Sequence, residues 1–141
     1  MGNNQSIQKI NYEDIQYVIK NPEMYLLINT LKESEQHCII TNTKNMNQEV
    51  ELLNNFLKNG NKNIPIIVYG KNGNDESIYT KYNQLRSLGF YNTYIYTGGL
   101  FEWLMLQDIY GENEFPTNKK EIDILKYKPN KILNIQLLHD R

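Results

Sequence analysis

A chain of 141 residues, two-fifths of them apolar, can build one compact core and has too little material for two. Its 15 basic and 16 acidic residues are interspersed and leave a formal net charge of −1, so it lacks the electrostatic footprint of a nucleic-acid binder. One cysteine, Cys38, excludes an internal disulfide and points to a reducing compartment; with only His37 and His139 beside it, no structural zinc site and no cofactor is implied.

In chain order, residues 1–10 read as a flexible leader that carries a lipidation signal. Met1-Gly2-Asn3-Asn4-Gln5-Ser6 fits the N-myristoylation pattern, with Gly2 as the new amino terminus and Ser6 at the hydroxyl position. A single acyl chain binds membranes reversibly, and the usual second signal is missing, because no cysteine is near and Lys9 alone is no polybasic patch. No apolar run reaches the roughly 20 residues of a spanning helix, and no secretory leader is visible. The expectation is a cytoplasmic protein that visits a membrane and needs a protein partner or self-association to stay there.

Asn11 is the expected N-cap of a short helix through Lys20, with Asp14 three residues on and Ile15, Val18 and Ile19 as its apolar stripe. Tyr25-Leu26-Leu27-Ile28-Asn29 is a continuous apolar run of the kind buried on both faces of a parallel sheet. Gln36-His37-Cys38-Ile39-Ile40 is expected to be a second short strand. Val50, Leu53, Phe56 and Leu57 predict a helix over 48–58, closed by Asn59-Gly60. Strands alternating with helices require an α/β domain, and ligand sites in such sheets lie at the carboxyl ends of the strands.

From Ile64 the pattern sharpens. The run Ile64-Pro65-Ile66-Ile67-Val68-Tyr69 empties into the polar loop Gly70-Lys71-Asn72-Gly73-Asn74-Asp75. A helix is predicted from Asp75 to Leu88, stopped by Gly89-Phe90; then follow the strand Thr93-Tyr94-Ile95-Tyr96 and Thr97-Gly98-Gly99-Leu100-Phe101-Glu102-Trp103, whose helix runs on to Tyr110-Gly111. This order of strand, loop, helix, Gly-Phe, strand and Gly-Gly…Trp resembles the catalytic half of the rhodanese-like domain. The resemblance spans about residues 10 to 110 and implies a three-layer fold: a central, mostly parallel sheet of about five strands with helices on both faces. The domain is thereby placed at 11–111, with a C-terminal extension over 112–141.

In active sulfurtransferases of that family the loop opens with the sulfur-carrying cysteine and commonly closes with an arginine. Those positions hold Gly70 and Asp75 here, and no catalytic residue is assigned. An Ile-Asp-Val-Arg brace expected at the end of the first strand is replaced by Ile28-Asn29-Thr30-Leu31. The resemblance thus implies a domain without its nucleophile, similar to proteins of large DNA viruses, where a virion-associated role would fit. Gly70 and Gly73 allow an anion cradle of backbone amides, but Asp75 and Glu76 at the start of the helix would repel an anion. Lys71 either balances one of these carboxylates or points to water, and no Gly-Lys-Ser/Thr triplet marks a nucleotide loop.

Cys38 is the one alternative nucleophile, for a sulfurtransferase or a phosphatase-like variant; an inert cradle that senses a small anion is another alternative. Neighbours on a strand face opposite ways, so Cys38 and His37 make a poor dyad, and Cys38 reads as a small buried hydrophobe. Tyr94 and Tyr96 share one face of their strand. In the extension, Phe115-Pro116-Thr117 reads as an extended piece that packs back, Thr117 or Asn118 as the cap of a turn through Leu125, and Ile132, Leu133, Ile135, Leu137 and Leu138 as an apolar end that covers the domain or docks a partner.

Overall fold

A computed structural model describes residues 7–133. The elements are β1 (Lys9–Ile10), α1 (Tyr12–Lys20), β2 (Leu26–Asn29), α2 (Met46–Asn59), β3 (Ile66–Tyr69), α3 (Ser77–Ser87), β4 (Thr93–Tyr96) and α4 (Gly99–Tyr110), with 3₁₀ turns at Glu33–Glu35 and Ile124–Tyr127. All strand pairs are parallel, in the order β1-β4-β3-β2. The sheet has four strands among the described residues, one fewer than expected.

Local chemistry explains the starts and stops. Asn11 caps α1 by accepting from the amides of Glu13 and Asp14, and Asp14 returns a bond to the Asn11 amide, a complete capping box. Asn45 and Gln48 form another at α2, which begins two residues earlier than its apolar stripe suggests because the cap stands there. Gly60 ends α2 in the left-handed region at φ +70°.

Alternation along the strands sorts the core into two layers. Leu27, Ile67, Tyr69 and Tyr96 face α1 and α4, where Ile15, Val18, Leu100, Trp103 and Leu104 meet them. Leu26, Ile28, Ile66, Val68 and Ile95 face α2 and α3, packing on Leu53, Ile78, Tyr82 and Leu85. The helices joining adjacent strands thus share one face, and the helix that carries the chain from one sheet edge to the other lies opposite. Tyr94 joins Tyr96 on the α1 and α4 side, as strand alternation requires.

Two expectations fail here. Lys9 and Ile10, read as the end of a flexible leader, pair with Ile95 and Tyr96 as β1. Gln36 to Ile40 forms no strand; its only ladder contact is an isolated antiparallel bridge between Ile40 and Thr117. The backbone of this segment is engaged elsewhere: Ile39 N–H donates to Asn118 Oδ1, Asn118 N–H to Ile39 O, Thr41 N–H to Pro116 O, and Ile40 N–H to the Tyr69 hydroxyl. The C-terminal extension takes the bonds a neighbouring strand would have taken.

That extension belongs to the core. Phe115 and Tyr127 are buried, Trp103 Nε1–H donates to Pro116 O at 3.1 Å, and Gln107 Nε2–H donates to Phe115 O at 2.8 Å. Phe115 also meets the Trp103 ring edge-on at 5.0 Å. The turn expected from a Thr117 or Asn118 cap through Leu125 does not form: Thr117 is drawn into the bridge with Ile40, and a 3₁₀ turn begins only at Ile124 and runs to Tyr127. Ile132 and Leu133 are exposed, while Ile135, Leu137 and Leu138 lie outside the described residues, as do Gly2 and Ser6.

Candidate functional site

The loop over 70–75 leaves the carboxyl end of β3 and is pinned from the side by the start of α4. Leu100 N–H donates to Gly70 O and Phe101 N–H to Lys71 O, both at 2.9 Å. First-turn amides of a helix are the ones a ligand anion would use, and here they hold the loop's own carbonyls. Gly99 makes the contact possible. It sits at φ +70°, and a Cβ on it would lie 2.9 Å from both Asn72 N and Gly70 O.

Asp75 closes the loop from the other end. The sequence pattern places it in the first turn of the helix; it instead precedes Glu76, the N-cap residue of α3, and turns back. Its Oδ2 accepts from Lys71 N–H at 2.8 Å and its Oδ1 from Ser77 N–H at 3.0 Å. The Ser77 hydroxyl lies 2.6 Å from both Asp75 Oδ1 and Thr30 Oγ1. Asp75 Oδ2 stands 2.5 Å from where Gly70 would carry a Cβ, and Ile78 Cγ2 stands at 2.9 Å. The chain's own carboxylate thus fills the space of a side chain at position 70 and takes an amide that would face it.

Lys71, Asn72 and Asn74 are tied as well. Lys71 pairs with neither Asp75 nor Glu76; its Nζ meets Glu35 at 2.7 Å. That hydrogen bond holds the Glu35 carboxyl below its ordinary range against the opposing effect of burial. Asn72 is buried, its Nδ2 donating to Tyr127 O at 2.9 Å and its Oδ1 accepting from Asn74 N–H at 2.9 Å. Asp75 N–H donates to Asn72 O, completing the turn. Gly73 has room around it.

A cavity of about 500 Å³ opens beside the loop. Thr30, Lys32 and Glu35 line it from the β2 side, and Lys128, Pro129, Asn130 and Ile132 from the extension. Across Gly98, Glu102 folds back to accept the Tyr96 hydroxyl at 2.5 Å; a Cβ at residue 98 would strike it. Burial first, and the Glu102 carboxylate second, raise the Tyr96 phenol far above its ordinary value.

Cys38 is a core residue, fully buried, with its thiol donating to Lys119 O at 3.1 Å. Burial pushes the thiol upward, away from the thiolate that nucleophilic chemistry needs. His37 is exposed while Cys38 is buried, so the two diverge as adjacent residues should. Nearby, the buried Tyr69 hydroxyl accepts from Ile40 N–H at 3.1 Å and lies 2.7 Å from Thr43 Oγ1, which itself donates to Ile40 O at 2.6 Å. This ring of bonds ends β3 under the loop. Tyr127 and Glu35 are the site residues that sequence reasoning missed. Only the apolar-polar alternation around Tyr127 could have hinted at one of them.

A family model described as the rhodanese-like domain matches residues 18–106. The chain belongs to the rhodanese-like domain family. Among solved structures, this rhodanese-like domain is similar to the single-domain sulfurtransferase RDL2 of Saccharomyces cerevisiae at 20% identity. That likeness covers 80% of this chain and 98% of the other, with a TM-score of 0.57. It is also similar to the Alr3790 protein of Anabaena sp. at 22% identity, over 83% of this chain and 86% of that one, TM-score 0.56. The solution structure of the rhodanese-like domain of Alr3790 gives 22% identity, 91% and 88% coverage and a TM-score of 0.56. These likenesses are of fold. No curated protein matches the chain.

Proposed function

We propose that this rhodanese-like domain is non-catalytic and acts as a protein-binding or assembly module with a regulatory role, brought to an intracellular membrane by myristoylation of Gly2. The observation that carries the first part is the loop itself. Position 70 has no side chain, the carboxylate of Asp75 stands where one would be, and the amide of Lys71 is already bonded to that carboxylate. Sulfur transfer needs a thiolate at the cradle and a cradle free for an anion. This loop offers neither.

The alternative of a sulfurtransferase or phosphatase-like enzyme working through Cys38 fits less well, because that thiol is enclosed and held protonated. Sensing of a small anion in the loop would have to displace Asp75. The membrane part rests on Gly2 and Ser6, which lie outside the described residues; among those described, no helix is long and apolar enough to cross a membrane.

The test is thiocyanate formation from thiosulfate and cyanide by the purified wild type and by Cys38→Ser. The proposal expects neither to exceed the protein-free blank; wild-type turnover that disappears in Cys38→Ser would establish the enzyme instead. Intact mass of protein made in a eukaryotic host decides the acyl group.

A further inference from the structure

We infer that the basic and apolar lip of the loop cavity is a docking surface for an acidic peptide segment of a partner protein that carries a bulky apolar anchor. The inference rests on the non-catalytic, protein-binding reading above and gives it a place and a partner chemistry.

The lip is built by the last part of the extension. Once Tyr127 is buried and its carbonyl is held by Asn72, the chain runs outward, and Lys128, Pro129, Asn130 and Ile132 form one wall of the cavity. Ile132 and Leu133 are 78% and 75% exposed, although the same extension buries Phe115 and Tyr127 almost completely. Apolar side chains left outward beside a cavity of about 500 Å³ offer a seat for a bulky anchor.

Charge selects the partner. Among the described residues the ion pairs are Lys71–Glu35, Lys81–Glu49, Lys120–Glu112 and Lys126–Glu121, so Lys32 and Lys128, which line the cavity, are in none of them. The acids of the cavity are already answered, Glu35 by Lys71 and Asp75 by the amides of Lys71 and Ser77. The lining still holds three lysines, Lys32, Lys71 and Lys128, against the two acids Glu35 and Asp75, so the lip is net positive and acidic residues flanking the anchor complement it. A lipid surface fits less well. Ile7 and Gln8 approach the parallel strand β1 from the amino end of the sheet, whereas the lip stands at its carboxyl end, so the two do not form one continuous membrane face.

The test is fluorescence anisotropy of the full chain with three short labelled peptides: a Leu-Phe pair flanked by Asp and Glu, the same peptide with Ala for Leu-Phe, and the same with Lys for the acids. Saturable binding of the first alone is expected. Lys32→Glu with Lys128→Glu, and separately Ile132→Ala with Leu133→Ala, should each weaken it about fivefold or more. All four positions are exposed, so the apolar double variant should leave the melting curve in place and the charge variant should move it only through the loss of Lys32 beside Glu35.

No saturable binding of the acidic apolar peptide, equal binding of the basic one, or indifference to both double variants overturns the proposal. So does sedimentation with phosphatidylserine vesicles that needs the same residues while the peptide stays free. Sulfur transfer is measured separately: peptide failure with an inert loop sinks this inference alone, and turnover sinks the reading beneath it.

Discussion

Asp75 Oδ2 stands 2.5 Å from the point at which Gly70 would bear a Cβ. The two positions are therefore physically coupled, since the glycine at one leaves the space that the carboxylate at the other fills. Placing a cysteine at position 70 would meet that carboxylate rather than an open cradle.

Gly70→Cys is predicted to destabilise the fold by about 1–3 kcal/mol, because the thiol must displace Asp75 or Ile78. Adding Asp75→Ser removes the obstructing carboxylate, so the double variant should melt higher than the sum of the single changes implies. A double-mutant cycle of thermal or urea unfolding measures that coupling.

Asn72 is the bond between the loop and the extension. Asn72→Ala leaves the buried Tyr127 O without its donor and frees the more exposed Asn74 N–H, and should cost about 1–3 kcal/mol. Hydrogen exchange should then quicken selectively over 124–133.

Phe115→Ala is expected to lose about 3–5 kcal/mol, the scale of a buried aromatic truncation, since Phe115 packs on Trp103 and Tyr12. If the extension were an optional cover, urea unfolding of this variant would match the wild type.

The Lys71–Glu35 pair sets a pH dependence. Lys71 lowers the Glu35 carboxyl in the folded state, so the pair stabilises at pH above the ordinary carboxylate value of about 4.3 and loses its effect as pH falls through the lowered one. Both side chains are roughly three-quarters covered, and about 0.5–1 kcal/mol is at stake. Lys71→Met should therefore melt below the wild type at neutral pH and draw level with it as the pH falls through the lowered Glu35 value.

Much of the architecture is readable from residues alone because it is local. Asn11 with Asp14, Gly60 behind α2 and the apolar runs of β2, β3 and β4 each fix an element through chemistry within a few positions. The failures are tertiary. Gln36 to Ile40 has strand composition, but Asn118 and Pro116 compete for its backbone from far along the chain. Lys9 and Ile10 are placed by pairing with β4 and by the packing of Ile10 on the core, both contacts made far along the chain.

The site divides in the same way. The absence of a side chain at position 70 is plain in the sequence, whereas the backward turn of Asp75 depends on Lys71 and Ser77 offering amides in space. Lys71 finds Glu35 across 36 positions, which no pattern in the loop announces.

The loop is proposed to be chemically inert because its own carboxylate, Asp75, occupies the place of both a nucleophile at position 70 and a bound anion. The most direct check is the intact mass of the purified wild type after incubation with thiosulfate. The only thiol in the chain is Cys38, buried against Lys119 O, so the mass should remain unchanged. A gain of one sulfur atom, absent in Cys38→Ser, would contradict the account.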